Sequence, residues 1–220
     1  PAANTTRPAV PESSAPNLKL SPQSLSGMEH LVFARYRVDY QADLRKAVPF
    51  RGVIDVDTAR ITLADHPATG IGPWFSADRV AWHRSQMAAM RQAGVDVALV
   101  EVGGPGHETA VADDKALVVL TAALREMAFE LQTAPQVALC LDTARLVSAG
   151  QPKPDLSTEA GQDILYAAIR RFFATVPPEF RARVQLPLAA GGVPAYPVFL
   201  TDGQYLTGSP GGDWAEAIRR

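Results

Sequence analysis

Between residues 76 and 142 the sequence switches twice from helical periodicity to a continuous apolar run, which restricts the chain to a parallel α/β architecture. Ser76 is placed to cap a helix with Asp78 in its first turn. Val80, Met87 and Met90 follow at helical spacing, and Gly94 supplies the C-terminal stop. Residues 95–102, bounded by Gly103-Gly104-Pro105, then read as a buried strand. A second helix is expected over 114–131, with Leu117, Leu120, Leu124 and Met127 on one side, and a strand over 136–142. A third helix over 158–175 and a strand over 196–200 repeat the pattern, and residues 31–36 form a strand ahead of it. His83 falls on the expected solvent side of the first helix.

Parallel neighbours need a crossover connection, so these units predict a parallel sheet covered by helices. An open doubly wound sheet and part of a β/α barrel both satisfy that rule. No G-x-G-x-x-G or Walker sequence follows any strand, which counts against a nucleotide site. Four strands in about 190 residues fall short of the roughly 250 that a closed eight-unit barrel needs. The expected fold is therefore α/β with parallel (β/α) repeats, the N-terminal half of a TIM-barrel-like fold.

Composition narrows the partners. The 220 residues are 47% apolar and 20% charged, enough for one domain with a real core. Lys and Arg number 21 against 23 Asp and Glu, so no global field draws the chain to nucleic acid or an anionic membrane. No apolar run reaches the roughly 18 residues of a membrane span. The lone Cys140 excludes an internal disulfide framework and a Cys-rich zinc site. His30, His66, His83 and His107 lack metal-ligand spacing, and Asp55-Val56-Asp57 and Asp113-Asp114 read as solvated turns. No metal or cofactor is expected.

Residues 1–27 hold five of the 18 prolines among Ser, Thr, Ala and Asn and read as a flexible tail or linker before a domain over 28–220. The chain starts at Pro1 rather than Met, and the helical pattern over 213–220 stops without a cap, so the domain is expected to be truncated. With the Asn4-Thr5-Thr6 sequon, the processed start suggests a secreted or periplasmic protein.

Ligands of parallel β/α folds bind at the C-terminal ends of the strands. The side chains expected there are Arg35, Tyr36, Arg37 and Asp39 at the first strand, and Glu101 at the second. Asp142 and Arg145 follow at the third, and Asp202 and Tyr205 at the fourth. Acids at three successive strand ends suit a polyhydroxylated ligand or acid/base work. Trp74 is positioned to stack on a sugar face. A third option, a small-molecule enzyme, would show a pocket beside Gly103-Gly104-Pro105-Gly106 with amides facing a phosphate.

The stretch Gly70-Ile71-Gly72-Pro73-Trp74-Phe75-Ser76-Ala77-Asp78, followed by Gln86-Met87-Ala88-Ala89-Met90-Arg91-Gln92-Ala93-Gly94, resembles the family 99 glycoside hydrolases, which are endo-α-mannosidase-like β/α barrels. The likeness extends through Asp142 and Tyr196-Pro197-Val198-Phe199-Leu200 to Trp214. It implies a barrel acting on a polysaccharide by retaining hydrolysis, in which a carboxylate helps the sugar's own 2-hydroxyl attack the anomeric centre. Asp142 and Glu101 would then be the catalytic or hydroxyl-binding acids, with Arg35, Tyr36, Trp74 and Asp202 around the substrate. The family's Trp at the end of the second strand is replaced here by Glu101-Val102-Gly103, and its N-E-W-x-E-type acid stretch has no counterpart. A non-catalytic carbohydrate-binding or scaffold protein derived from such a barrel is the alternative. In either case a second chain or a missing C-terminal half is expected to cover the open strand edges.

Overall fold

A computed structural model describes residues 30–38, the short strands at 54–55 and 60–61, residues 79–184 and residues 195–208. Strand β1 (Phe33–Arg37) is followed by a two-stranded antiparallel pair, β2 (Ile54–Asp55) and β3 (Arg60–Ile61). Helix α1 (Val80–Gln92) leads into β4 (Val97–Val102), α2 (Ala110–Phe129) into β5 (Gln136–Asp142), and α3 (Glu159–Thr175) precedes β6 (Val198–Thr201). The four long strands form one all-parallel sheet in the order β1-β4-β5-β6. This is the expected α/β class with successive strands as neighbours. Among the described residues the sheet is not closed, with β1 and β6 at its edges.

Strand alternation divides the sheet into two unlike faces. On one, Tyr36, Ala98, Val100, Val102, Val137, Leu139 and Leu141 join a single core with Met87 of α1, Leu117, Leu120, Leu124 and Met127 of α2, and Leu165, Ile169 and Phe172 of α3. All three helices thus cover the same face. Each large aliphatic side chain buried there stabilises the fold by about 1.5–3 kcal/mol. The opposite face carries Phe33, Arg35 and Arg37 of β1, Val97, Leu99 and Glu101 of β4, and Ala138, Cys140 and Asp142 of β5. All seven residues of β5 are buried, which explains why the strand reads as a run rather than an alternation.

Several boundaries differ from expectation for local reasons. α1 begins after Arg79, which is extended and offers no side-chain cap; Ser76 lies outside the described residues. α2 starts four residues early, at Ala110, because Asp113 belongs to its first turn instead of to a solvated loop. Pro197 has no N–H to give to the ladder, and β6 begins only at Val198. α3 starts one residue after its expected bound, where the Thr158 hydroxyl caps it by accepting the Gly161 N–H at 3.1 Å. His83 overturns its surface assignment. It is fully buried, and its Nδ1 sits 2.6 Å from the Tyr36 hydroxyl, with Trp82 stacked against the Tyr36 ring.

Candidate functional site

Glu101 occupies the centre of the helix-free face and is only 1% exposed. Its register partners are Arg37 on β1 and Cys140 on β5. Arg35 Nε donates to Glu101 Oε2 at 2.8 Å and Arg35 Nη2 donates to the same oxygen, while Arg37 Nε lies 3.5 Å from Oε1. Burying a carboxylate costs several kcal/mol unless it is paired, and two guanidinium groups meet that requirement. The hydrogen bond to Glu101, backed by its charge, raises the Arg35 guanidinium above the usual arginine range. Beside it, burial pushes the Cys140 thiol up to about 11, so this cysteine is neutral packing and not a nucleophile.

Asp142 lies two residues beyond Cys140 on the same face, at the C-terminal end of β5. One carboxylate oxygen accepts the Ala144 N–H at 3.0 Å, capping the 3-10 turn Thr143–Arg145, and the other accepts Arg145 Nε–H at 2.9 Å. Arg145 Nη1 also approaches Asp113 Oδ1 at 3.7 Å. Asp113 is fully buried and its Oδ2 accepts the Gly103 N–H at 2.8 Å, which corrects its reading as a solvated turn. Asp114 pairs with Arg171. The sequence did hold a signal for Asp113: an acid in the first turn of a helix, ten residues after a double glycine, is placed to take a loop amide.

The structure brings Arg35, Glu101 and Asp142 together on one face and separates the other candidates from them. Tyr36 points to the helix side, buried against Trp82 and His83, and cannot form an aromatic wall over the acids. Asp202 is exposed at the end of β6 in a left-handed conformation, φ 55°, with its carbonyl accepting the Thr143 hydroxyl at 2.6 Å. Trp74 and Trp214 lie outside the described residues. In chemical terms, Glu101 and Asp142 each face guanidinium groups, an arrangement that suits hydrogen-bond acceptance rather than proton donation to a leaving group.

A cleft of about 830 Å³ opens elsewhere, between the loops after β4 and β5 and the first turns of α3, lined by Pro105, Gly106, Leu146, Pro154 and Ile164 among others. Neither Glu101 nor Asp142 borders it. It sits beside the glycine loop as the small-molecule reading required, but the amides of Gly103, Gly104 and His107 are engaged. Gly103 N–H goes to Asp113, Gly104 N–H goes to the Arg145 carbonyl at 2.7 Å, and His107 N–H goes to the Gly104 carbonyl at 3.2 Å. Among the described residues no group of His, Cys, Asp and Glu is arranged to hold a metal ion, and no helix is long and apolar enough to cross a membrane. No protein-family model matches the chain, and neither a curated protein nor a solved structure shows significant similarity to it.

Proposed function

We propose that the chain is part of a glycoside-hydrolase-like (β/α) barrel that holds a glycan on its helix-free face, binding it without cleaving it. The observation that carries this reading is the contact between Phe33 and Phe199 across the sheet, with ring centroids 5.4 Å apart. Their strands are separated by three steps, about 14 Å in a flat sheet. Side chains standing perpendicular to a flat sheet would keep that spacing, so the sheet is concave on the face without helices. Phe33 also precedes by four residues the register line through Arg37, Glu101, Cys140 and Phe199. A (β/α)8 barrel staggers by about one residue per strand step, and residues on one face differ by two, so an offset near this size supports barrel-type tilt. Sequential strand order with α1, α2 and α3 on the convex face supports the same geometry.

On such a scaffold Asp142 accepts from sugar hydroxyls, Glu101 orients Arg35 from beneath, and Arg35 and Asp202 are polar rim groups. Binding is favoured over hydrolysis because both central acids already carry guanidinium partners. A secreted or periplasmic location agrees with a polymeric glycan as ligand.

The test is to apply the full chain, and an Asp142→Ala variant, to immobilised α-mannan and other polysaccharides while following reducing-end release. Retention without release, weakened in the variant, is the expected result. Release of reducing ends that disappears in Asp142→Ala would replace binding by catalysis. No retention on any polysaccharide would overturn the glycan reading.

A further inference from the structure

Helix α2 is apolar on both sides. Its inner side packs Leu117, Leu120, Leu124 and Met127 into the core between α1 and α3. At 3.6 residues per turn, Val111, Val118, Ala122 and Phe129 lie on the opposite side, within roughly 20° of one line that runs the length of the helix. Val111 is 80%, Val118 59% and Phe129 62% exposed. A surface helix ordinarily turns charged residues to solvent there, and a helix that is apolar all round is one covered on both sides. Scattered exposed apolar residues are ordinary, whereas a row aligned along one helix marks an interaction surface.

The row is also self-complementary. When a helix pairs antiparallel with a second copy of itself, residues equidistant from the two-fold axis meet, and each flank faces the same flank of the partner. With the axis at the level of Leu120, Val111 opposes Phe129 of the second copy and Val118 opposes its Ala122. Lys115 and Glu126 lie on one flank of the row, Asp114 and Arg125 on the other, and the midpoint of each pair falls between Val119 and Thr121. Opposite charges therefore meet on both flanks in the same register that matches the apolar row. Glu126 and Asp114 already meet Arg84 and Arg171 of their own chain, so the crossing cations join existing ion pairs and fix register more than they add affinity.

We propose that the outer face of α2 is a homodimer interface, in which two copies of the chain pair antiparallel about an axis at Leu120. This does not depend on the glycan reading, because α2 lies on the convex side of the sheet and the helix-free face stays open in both copies. A helix of 20 residues is about 30 Å long, and one such pair buries less than the roughly 800 Å² per partner of a standard stable interface, so the dimer is a weak one with a dissociation constant of about 1–100 μM.

Sedimentation velocity of the full chain from about 2 to about 500 μM tests the assignment, with a reversible monomer–dimer equilibrium as the expected result. Val118→Glu, next to the axis, should weaken association at least about tenfold and leave the circular dichroism of the monomer unchanged, since the side chain it replaces is solvent-facing. Lys115→Glu and Glu126→Lys should each weaken association about threefold by setting like charges opposite each other, and the two changes together should restore it to within about twofold. Such rescue reads the antiparallel register directly, because losses from a merely structural cause would add in the double variant. It also decides the matter should Val118→Glu fail to fold. A chain that stays monomeric over the whole range overturns the proposal. So does a dimer indifferent to Val118→Glu, which would place the association at the open strand edges, and so do charge changes whose effects add instead of cancelling.

Discussion

Phe33 and Phe199 stand on opposite edges of the sheet, yet their rings meet at 5.4 Å over its helix-free face. The contact closes the concavity and holds the two edge strands in one curved arrangement. Phe33 is 37% exposed, so each ring contributes less than a core phenylalanine. Single changes to Ala are expected to cost about 1–2 kcal/mol each, with a coupling of about 0.5–1.5 kcal/mol in the double variant. Urea denaturation of the four proteins of the cycle measures this. Additive effects would mean that the rings do not support each other and that the curvature is set elsewhere.

The Arg35–Glu101 pair predicts an unequal pair of variants. Removing Arg35 leaves a carboxylate that water cannot reach with only the more distant Arg37 for company. Glu101→Gln instead leaves a half-exposed guanidinium that water rehydrates, and the amide oxygen still accepts from it. Arg35→Ala should therefore destabilise by about 2–3 kcal/mol and Glu101→Gln by about 1 kcal/mol. Equal losses, or the opposite order, measured by denaturant midpoint, would show that the carboxylate is hydrated.

Much of the fold was legible because its strands and helices differ in period. The strand at Gln136–Asp142 and the helix at Glu159–Thr175 lie within a residue of their expected bounds, since the first is a pure apolar run and the second carries a threonine cap. The short pair Ile54–Ile61 was missed because two residues carry no periodicity. At the site, strand ends located Glu101 and Asp142, but sequence does not reveal which face a side chain takes. Parity within β1 sends Arg35 to the concave face and Tyr36 to the helices, and the choice depends on register with β4. His83 was misplaced for a related reason. A histidine on a helix reads as polar until a specific partner, here the Tyr36 hydroxyl, allows it to be buried.

Cys140 gives the stability a pH dependence at the alkaline end. Burial raises its thiol to about 11 in the folded chain, against an unfolded value of about 8.5–9. The neutral thiol is the folded form, so its contribution is fully present below pH 8 or so. Between about pH 9 and 11 the unfolded chain has released a proton that the folded chain still holds, and stability falls as pH rises. Cys140→Ala should remove this part of the slope in unfolding curves collected from about pH 8 to 10.5. Native Cys140 should also react with iodoacetamide far more slowly than the urea-unfolded chain; a comparable rate would mean that the thiol is accessible.

Gly104 sets how closely the loop after β4 can approach the segment after β5. A Cβ at this position would lie 2.4 Å from the Leu146 carbonyl oxygen and 2.8 Å from its Cα, both backbone atoms that cannot rotate away. Gly104 also donates its N–H to the Arg145 carbonyl at 2.7 Å, so the close approach and the hydrogen bond are one arrangement. Gly94 provides the comparison: nothing lies within 4 Å of its added Cβ, and only its φ of +82° opposes a side chain. Gly94→Ala should therefore cost about 1–2 kcal/mol, the strain of a left-handed alanine. Gly104→Ala should cost at least about 3 kcal/mol, because backbone must move apart and the loop must give up its bond to Arg145. Arg145 anchors Asp142 at 2.9 Å, so the same change should also weaken glycan binding in proportion to Asp142→Ala, whereas Gly94→Ala should leave binding intact. Thermal melts and retention on the glycan resin, run side by side for the two variants, check both halves. A Gly104→Ala chain as stable as Gly94→Ala would show that the two loops are not pressed together.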